Sequence, residues 1–420
     1  MQMPKRRSPS ARVPLWAWVV GAGLLIRLLI VLAVPVFPLV ANTWDSNFYH
    51  QTASHLASGE GYIFQGKATA LFPPGFPAAL AVAYRIAGPD PRAGQALNFL
   101  ASIGVLAAAA WLAAETLGRV AARRTAMLLA LDPSQIVMPA FLMSESVCAL
   151  GLVAGLAALA RGLGRGGVLW FPAAAAAGLL AGFARPHAFL LLPAAALAWG
   201  WVARRRWRPV WIALAFLLAV DAAALGLWTA RNQRALGHPV PISTNGWMNL
   251  LLGNNPNARG GRSEPPGGLP DTGDEVRDEA LAQARAVAYI QDHPGRVIAL
   301  PPVKAARRVL PAPISPYRAE LRAKLGPAPA VSVLALAQAF HLAAWGLALG
   351  FLLRRRPPVG ILAAHADPLR GLVAVCLGVW VLGHLPYWGG ARYFLPVEAL
   401  LVLAAAGGWT ALEAVRRARP

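Results

Sequence analysis

Long apolar runs constrain this chain more than any other feature of its sequence. Runs of about 17–25 residues recur along it, which is the length that an α-helix needs to cross a lipid bilayer. The composition agrees, since 57% of the 420 residues are hydrophobic and only 14% are charged. Hydrocarbon offers no hydrogen-bond partner to a peptide group, so membrane-spanning runs must form helices or a closed barrel. Because these runs are long and lack strict alternation, the sequence predicts an all-α polytopic membrane protein.

Ten apolar segments account for these runs, and we predict that each one spans the membrane. The predicted spans are residues 14–40, 93–117, 125–141, 145–162, 167–184, 187–203, 209–229, 329–353, 369–388 and 393–412. The first is too long for the core of a signal peptide, so we expect it to be retained. An even number of spans places both termini on the same side of the membrane.

Basic residues crowd the short connectors between the predicted spans. The formal net charge is +21, and the arginine clusters fall at the turns that share a side with the termini. These clusters lie at residues 5–7, 119–124, 161–165, 204–208, 354–356 and 416–419. This is the positive-inside pattern, and it predicts cytoplasmic termini in the inner (cytoplasmic) membrane of a cell. A nucleic-acid surface would form one continuous basic face with stacking aromatics, so the charge does not indicate DNA or RNA binding.

Two longer polar segments on the opposite side divide the chain into three parts. Residues 1–229 form an N-terminal membrane module, with a first outside loop at 41–92. Residues 230–328 form a second outside region, and residues 329–420 carry the last three predicted spans.

The spacing of apolar residues predicts helices within both outside segments. We expect interfacial helices at 46–58 and 74–87 in the first loop. The second region should carry an amphipathic helix at 274–292. The segment 303–310 is basic and semi-apolar, so we expect it to lie on the membrane surface.

Asp45 is the strongest candidate for chemistry. It follows the first predicted span and precedes Tyr49 by four residues, which places both on one helical face. A general base must be partly screened yet reachable by water, and a loop at the membrane surface meets both conditions. The alternative is that Asp45 is an N-cap for a helix that begins at Ser46, because aspartate is favoured there.

Two charged residues lie where the surrounding chain is apolar. Glu145 stands at the outer edge of a hairpin between two predicted spans, where a carboxylate is costly unless it is paired or hydrated. A functional role is therefore the leading hypothesis, and capping of the next helix together with Ser144 is the alternative. Arg27 lies in the middle of the first span and needs an internal partner, for which Asp221 and Glu398 are both candidates.

Three arginines lie near the predicted outer ends of spans, against the positive-inside trend. They are Arg185, Arg231 and Arg392. A guanidinium presents a fixed fork of donors that suits phosphate, so the three together predict a site for a lipid phosphate. The alternative for each is snorkelling to lipid headgroups.

Other catalytic signatures are missing from the sequence. There is no Gly-x-Ser-x-Gly elbow and no glycine-rich phosphate loop after a strand, since no strand is predicted. His50 and His55 are five residues apart and do not share a helical face well. The sequence therefore predicts no metal ligand.

An ordered series of polar motifs runs through residues 14–415. In chain order, the motifs are Asp45…Tyr49, Gly59-Glu60-Gly61-Tyr62, Pro73-Pro74-Gly75-Phe76-Pro77, Leu142-Met143-Ser144-Glu145, Gly182-Phe183-Ala184-Arg185-Pro186, Ala230-Arg231-Asn232, Gly237-His238-Pro239-Val240, Ser243-Thr244-Asn245-Gly246, Gly253-Asn254-Asn255-Pro256, His293-Pro294-Gly295-Arg296 and Arg392-Tyr393. This series resembles the bacterial dolichyl-phosphate-mannose-protein mannosyltransferase-like glycosyltransferases of the family 39/83 type. These are integral-membrane enzymes with the GT-C fold.

The resemblance implies a GT-C-type bundle of about ten transmembrane helices. It also implies an inverting enzyme that moves a hexosyl or pentosyl group from a polyprenyl-phosphate-linked donor to the hydroxyl of a glycan, lipid or protein acceptor, on the extracytoplasmic face. The catalytic aspartate of the family maps onto Asp45. The residues that would surround the acceptor are Tyr49, Tyr62 and Glu145. The residues that would hold the donor phosphate are Arg185, Arg231 and Arg392.

The chain also departs from the family pattern in two places. The first loop has one acidic residue at this point where relatives commonly have an Asp-Glu pair, which leaves a divalent-metal requirement open and no cofactor certain. The second outside region is shorter than a full soluble domain, which argues against an oligosaccharyltransferase-type acceptor domain. Two alternative functions remain: a transporter, which would need broken helices at the membrane midplane, and a glycan ligase or polymerase that acts on lipid-linked sugars.

Overall fold

Helices form nearly all the regular structure in the computed structural model, which describes residues 13–35, 43–203, 207–353 and 366–417. The first ten are α1 (Leu15–Ala33), α2 (Thr43–Ser58), α3 (Gly75–Ala87), α4 (Pro91–Thr116), α5 (Arg119–Leu131), α6 (Pro133–Val137), α7 (Glu145–Arg165), α8 (Trp170–Ala184), α9 (Leu191–Ala203) and α10 (Arg208–Leu236). The others are α11 (Gly246–Gly253), α12 (Glu275–Asp292), α13 (Pro294–Val309), α14 (Arg318–Leu325), α15 (Pro327–Leu352), α16 (Ala366–His384) and α17 (Leu395–Arg417). Short 3₁₀ turns occupy Met138–Ala140, Pro186–Leu190, Ser315–Tyr317 and Ala391–Phe394.

One small hairpin departs from the all-helical expectation. Strand β1 (Ile63–Phe64) pairs antiparallel with β2 (Lys67–Ala68). Gln65, at the turn, has a φ of 50°, and Gly66 has a φ of 76°. Each strand has only two residues, which is too short for an alternating pattern to be recognised in the sequence.

Eight helical segments of the described chain are long and apolar enough to cross a membrane. They are Leu15–Ala33, Pro91–Thr116, Glu145–Arg165, Pro186–Ala203, Arg208–Leu236, Pro327–Leu352, Ala366–His384 and Ala391–Arg417. Each coincides with one of the ten predicted spans, which confirms the all-α polytopic class. Residues 36–40 of the first predicted span lie outside the described residues.

The remaining two predicted spans take a different form. The segment 125–141 is divided, because α5 ends at Leu131 and α6 begins at Pro133. A proline ring disfavours helix in the residue before it and removes a backbone donor. Asp132 then caps the new helix by accepting bonds from the backbone N–H groups of Ser134 and Gln135. The segment 167–184 becomes α8, whose 15 residues extend only about 22 Å.

Helices α7 and α17 form the centre of the bundle. In the most apolar window of α7, 78% of the residues are buried, and in that of α17, 83% are buried. The corresponding fraction is 17% in α1 and 22% in both α10 and α15. Helix α7 packs on α4 and α8, and α17 packs on α5 and α15. The peripheral helices expose apolar side chains, as expected where lipid replaces protein as the neighbour.

Arg27 finds its partners inside the bundle, but they are not the predicted ones. Its guanidinium donates to the carbonyl of Leu129 at 2.9 Å and lies 3.3 Å from the hydroxyl of Ser102. The carboxylate that acts on it is Asp132. Neither Asp221 nor Glu398 takes this role. The helix break at Pro133 thus also brings Asp132 within electrostatic range of a cation in the first span.

The two ends of the bundle differ in charge. At one end, Glu115 pairs with Arg165 at 2.8 Å and with Arg161 at 3.4 Å. The same end carries the ion pair between Arg124 and Glu413. The basic clusters at 5–7, 204–206 and 354–356 lie outside the described residues. The opposite end holds the start of α2, the start of α7, the end of α8 and the 3₁₀ turn before α17, where the predicted site residues lie.

Helices α15 and α17 approach each other so closely that a side chain is excluded at Gly408. A Cβ atom there would lie 2.1 Å from the carbonyl oxygen of Leu347. Gly346, on α15, has no atom within 4 Å of such a Cβ.

We expect Gly408→Ala to destabilise the fold by about 1–3 kcal/mol, because the two helix backbones must separate to admit the methyl group. The thermal unfolding midpoint of the purified protein in detergent measures this. Gly346→Ala is the matched control and should leave the midpoint unchanged or slightly raised. Equal effects of the two substitutions would contradict the close helix contact.

Candidate active site

Asp45 forms an ion pair with Arg392, 347 residues further along the chain. Its Oδ2 atom accepts a hydrogen bond from Nη2 of the arginine at 2.9 Å, and the two side chains are 20% and 11% exposed. Helix α2 begins at Thr43, so Asp45 lies inside its first turn and does not precede the helix. The hydroxyl of the next residue, Ser46, donates to the carbonyl of Leu142 and holds this turn against the chain before α7.

Glu145 and Arg185 form a second ion pair, which is more deeply buried. Nη2 of the arginine lies 2.5 Å from Oε1 of the glutamate, whose side chain is fully buried. Glu145 is the first residue of α7, and Arg185 follows the last residue of α8. The segment before α7 is held by the amide of Asn98, which donates to the carbonyls of Phe141 and Met143.

The ring of Tyr393 lies among three guanidinium groups. The Cζ atoms of Arg185 and Arg392 are each 4.9 Å from the ring centroid, and that of Arg308 is 5.3 Å away. The phenol oxygen also accepts a hydrogen bond from Arg392 at 3.0 Å. The electron-rich face of an aromatic ring attracts cations, so Tyr393 offsets part of the repulsion between the three arginines. We call Arg185, Arg308, Arg392 and Tyr393 the arginine cluster.

Arg308 differs from the other two arginines because no carboxylate pairs with it among the described residues. Its side chain is 1% exposed, and Nη2 donates to the backbone carbonyl of Trp388 at 2.8 Å. Burial lowers the pKa of Arg308 to about 10, an effect opposed by Tyr393 and reinforced by Arg185. The group therefore remains charged at neutral pH.

Several buried polar atoms around the arginine cluster have no hydrogen-bond partner in the described part of the chain. They are Glu145 Oε2, Arg185 Nε, Arg308 Nη1 and Tyr317 Oη. Leaving a buried polar atom unsatisfied costs about 1–3 kcal/mol, and more when the group is charged. Polar atoms of this kind that gather in one place are suited to bind water or a polar ligand.

Tyr49 lies between the two ion pairs. Burial raises the pKa of its phenol, and the nearby charges that act on it are those of Arg185, Asp45 and Glu145. The structure therefore brings five of the seven predicted site residues together: Asp45, Tyr49, Glu145, Arg185 and Arg392. Which of them take part in a reaction stays a prediction.

The other two predicted residues, Tyr62 and Arg231, lie together beside the hairpin. Arg231 donates to the backbone carbonyls of Tyr62 at 2.9 Å and Thr69 at 2.7 Å, and its guanidinium stacks on Tyr62 and Trp228. The Tyr62 hydroxyl donates to the carbonyl of Phe72 at 2.9 Å. Both side chains thus donate to backbone carbonyls of the first outside loop, and Arg231 anchors that loop to α10.

Among the candidate site residues, Arg308 was missed in the sequence, and Tyr393 was noted only as part of a motif, without a role. The segment 303–310 was expected to lie on the membrane surface, but Arg308 and Lys304, one helical turn apart on α13, are both 1% exposed. The Lys304 ammonium group donates to Asn254 Oδ1 and to the Pro386 carbonyl. A basic amphipathic helix has the same sequence pattern whether its cations face water or the protein interior. The sequence therefore held no signal that Arg308 and Lys304 are buried.

Both carboxylates of the site are engaged by arginines. Ca²⁺ takes about six to eight oxygen ligands, and Mg²⁺ is usually held by one or two carboxylates together with several waters. Asp45 and Glu145 are each ion-paired with an arginine. In the described residues, no three His, Cys, Asp or Glu side chains converge. The described residues thus supply no ready-made set of ligands for a divalent cation.

Two carboxylates of α12 hold neighbouring segments in place, one in the first outside region and one within the second. Glu275 accepts bonds from the hydroxyl of Thr69 and the N–H of Ala70, both at 2.6 Å. One turn later, Glu279 accepts bonds from the N–H groups of Trp247 at 2.8 Å and Met248 at 3.2 Å, at the start of α11. Helix α12 therefore holds α11 and the hairpin loop in place.

Comparison with solved structures relates the whole arrangement to one membrane fold. The oligosaccharyltransferase of Archaeoglobus fulgidus, crystallised with a tethered acceptor peptide containing the NVT sequon, superposes with a TM-score of 0.55 at 14% identity. The match covers 94% of this chain and 49% of the oligosaccharyltransferase. The apo form of the same protein superposes with a TM-score of 0.54 at 14% identity, and the match covers 98% of this chain and 53% of that protein. This chain therefore spans about half the length of that protein.

The chain has a GT-C-type fold. It is a multi-pass membrane protein, as the apolar helices require. ArnT from Cupriavidus metallidurans, in a structure bound to undecaprenyl phosphate, gives a TM-score of 0.46 at 18% identity and covers 88% of this chain and 77% of its own. That score is too low to establish a shared fold. No protein-family model and no curated protein sequence matches the chain.

The attachment of α11 to Glu279 should depend on pH. Burial raises the pKa of this carboxyl to about 7 from an ordinary value of 4.5, although the backbone N–H groups of Trp247, Met248 and Gly246 oppose the shift. Between these values the folded protein holds a proton that the unfolded chain releases. The protonated Glu279 carboxyl therefore contributes stability to the folded protein that is fully present below pH 4.5. This contribution is lost as the pH rises through about 7.

We expect the unfolding midpoint of the native protein to fall by a few degrees more between pH 5 and pH 8 than that of Glu279→Gln, which cannot ionise. Glu264→Gln, at a side chain that is 52% exposed, is the control and should follow the native protein. The same pH response in all three proteins would show that Glu279 ionises normally.

Proposed function

We propose that this protein is an inverting glycosyltransferase that moves a sugar from a polyprenyl monophosphate to an acceptor hydroxyl. The observation that supports this function best is the arginine cluster facing Asp45 and Glu145. Three guanidiniums and two carboxylates leave one excess positive charge, and Arg308 is the cation without a carboxylate. A sugar–phosphate–polyprenol is a phosphodiester with one negative charge, so it complements this excess.

The reaction that we propose is a single displacement at the anomeric carbon. The acceptor oxygen forms a bond to C1 while the bond from C1 to the phosphate oxygen breaks, and Asp45 takes the proton of the acceptor hydroxyl. The polyprenyl phosphate leaves with one more negative charge than it had in the donor. Preorganised cations are most effective where charge develops, and a single good donor contributes on the order of 3 kcal/mol.

The pairing of Asp45 with Arg392 suggests how donor binding prepares the base. While Arg392 donates a hydrogen bond to Oδ2 of Asp45, that oxygen is not available to an acceptor hydroxyl. A phosphate that attracts Arg392 toward the cluster would free this oxygen for the acceptor. Glu145 would keep Arg185 in place, and Tyr49 would separate the two ion pairs. Arg231 and Tyr62 would position the first outside loop, instead of the donor and acceptor contacts predicted from the sequence.

The charge of the connectors supports an orientation for this reaction. Arginines gather at the end of the bundle opposite the arginine cluster, and basic connectors remain in the cytoplasm. We therefore infer that the site faces the extracytoplasmic side of the inner membrane, with both termini in the cytoplasm. The tethered acceptor peptide of the A. fulgidus oligosaccharyltransferase supports glycosyl transfer on this fold, although this chain spans only about half of that protein.

Asp45→Asn should lower sugar transfer by about a hundredfold or more, since general-base catalysis contributes roughly that much. Transfer from synthetic polyprenyl-phosphate sugars is measured with the protein reconstituted in vesicles. Asp90→Asn is the matched control, because Asp90 lies in the same outside loop and only caps α4. If Asp45→Asn keeps full transfer while it folds and binds donor normally, another group is the base.

Arg308→Gln should lower kcat/KM for a monophosphate donor by roughly tenfold to a hundredfold, the value of one charge-assisted hydrogen bond. Arg308→Lys keeps the charge and should recover part of the loss. Arg307→Gln removes a neighbouring exposed cation from the same helix and should have little effect. Unchanged activity in Arg308→Gln would remove this arginine from the site.

The same assay separates the alternative functions. A diphosphate-linked donor carries more negative charge than the cluster can match, so we expect the monophosphate donor to react faster. A preference for diphosphate-linked glycans would favour a ligase or polymerase. Movement of solute across the vesicle without any transfer would favour a transporter.

A further inference from the structure

A cavity lies at the end of the bundle opposite the arginine cluster. Its volume is about 710 Å³, and it opens between the end of α7, the start of α8, the end of α9 and the start of α10. This is within the range of small-ligand sites, which is about 300–1,000 Å³. Nothing in the proposed transfer reaction uses it.

The walls of this cavity are apolar and its mouth is cationic. Leu163, Phe171, Trp199 and Val210 line it and are almost fully buried. The charged side chains among its described lining residues are Arg165 and Arg208, and none of these lining residues is acidic. A cavity of this kind suits a ligand with an anionic head and an apolar tail.

The cations at the mouth are not neutralised by their surroundings. Glu115 is the only carboxylate paired with Arg165 in the described residues, and it is shared with Arg161, so one of the two positive charges is left over. Arg208 forms no ion pair there.

Exposed tryptophans place this mouth at the depth of lipid headgroups. Trp201 is 78% exposed, Trp207 38% and Trp211 60%, and Leu169, at the start of α8, is 82% exposed. Tryptophan is enriched at the boundary between headgroups and hydrocarbon. A small soluble anion would not contact the apolar walls favourably. A lipid at this depth can place its headgroup at the cationic mouth and its acyl chain against the apolar walls.

The connector from α7 to α8 lines the mouth with two glycines. Gly166 and Gly167 have φ values of +87° and +109°, which other residues rarely adopt. Side chains are thus absent where the chain turns from α7 toward α8.

We propose that this cavity binds an anionic phospholipid, with its phosphodiester headgroup at Arg165 and Arg208 and part of an acyl chain against the apolar walls. Basic pockets between membrane helices on the cytoplasmic side are suited to such headgroups. The inference is independent of the glycosyltransferase proposal, because it uses a different end of the bundle.

The test is native mass spectrometry of the full chain in detergent, titrated with dioleoyl phosphatidylglycerol or dioleoyl phosphatidylcholine. We expect the tightest site to prefer phosphatidylglycerol, and Arg208→Gln to weaken that binding about fivefold, the effect of one basic residue near an anionic lipid. Arg234→Gln is the control, since Arg234 is an exposed arginine at the opposite end of the same helix, α10.

A second variant tests the cavity without changing its charge. Val168 lines the cavity and is 52% exposed, so Val168→Trp should fit the fold while filling the mouth. We expect it to lower phosphatidylglycerol binding at the tightest site at least as much as Arg208→Gln does.

Four results would overturn the proposal. Displacement of the lipid by millimolar inorganic phosphate would indicate a site for a soluble anion. Equal binding of the two lipids would indicate an apolar slot without headgroup recognition. Equal loss in Arg234→Gln would indicate general electrostatic attraction. Unchanged binding in Val168→Trp would place the lipid elsewhere.

Discussion

The structure depends on the fact that hydrocarbon cannot solvate a charge or an unpaired peptide group. This single constraint makes the chain helical, moves most of its cations to the ends of helices, and requires a partner for every charge that stays inside. Arg27 shows the rule within a span, where the Leu129 carbonyl and the Ser102 hydroxyl take the place of water. The helix break at Pro133 is part of the same solution, because it brings the Asp132 carboxylate to this depth.

The arginine cluster meets the same constraint in a different way. Two of its cations have carboxylate partners, and the third has only a backbone carbonyl and an aromatic face. Removing one member of a buried ion pair typically costs 3–5 kcal/mol, which explains why Asp45 and Glu145 each remain with an arginine. Within the described residues, one positive charge in this region is therefore not neutralised, and several buried polar atoms lack hydrogen-bond partners. An anionic ligand would complete it, which links the stability of the region to its proposed function.

The sequence allowed much of this to be predicted. Asp45 and Glu145 were recognisable because a carboxylate at the edge of an apolar run is rare and costly. Arg185 and Arg392 were recognisable because they break the charge bias of the connectors. Arg231 also breaks this charge bias, but its guanidinium donates hydrogen bonds to backbone carbonyls beside the hairpin. Charge placement thus indicates that a residue has a task without saying which one.

The sequence by itself determined the class of the molecule, the positions of eight long spans and the end of the bundle at which polar residues gather. These follow from local composition, because the bilayer acts on each segment in the same way wherever it lies in the fold. Only the tertiary structure decided that Arg308 turns inward from a basic amphipathic helix, that Tyr393 lies among three arginines, and that Asp45 meets Arg392 across 347 residues. Those contacts depend on how helix ends from distant parts of the chain come together, and no local pattern records that arrangement.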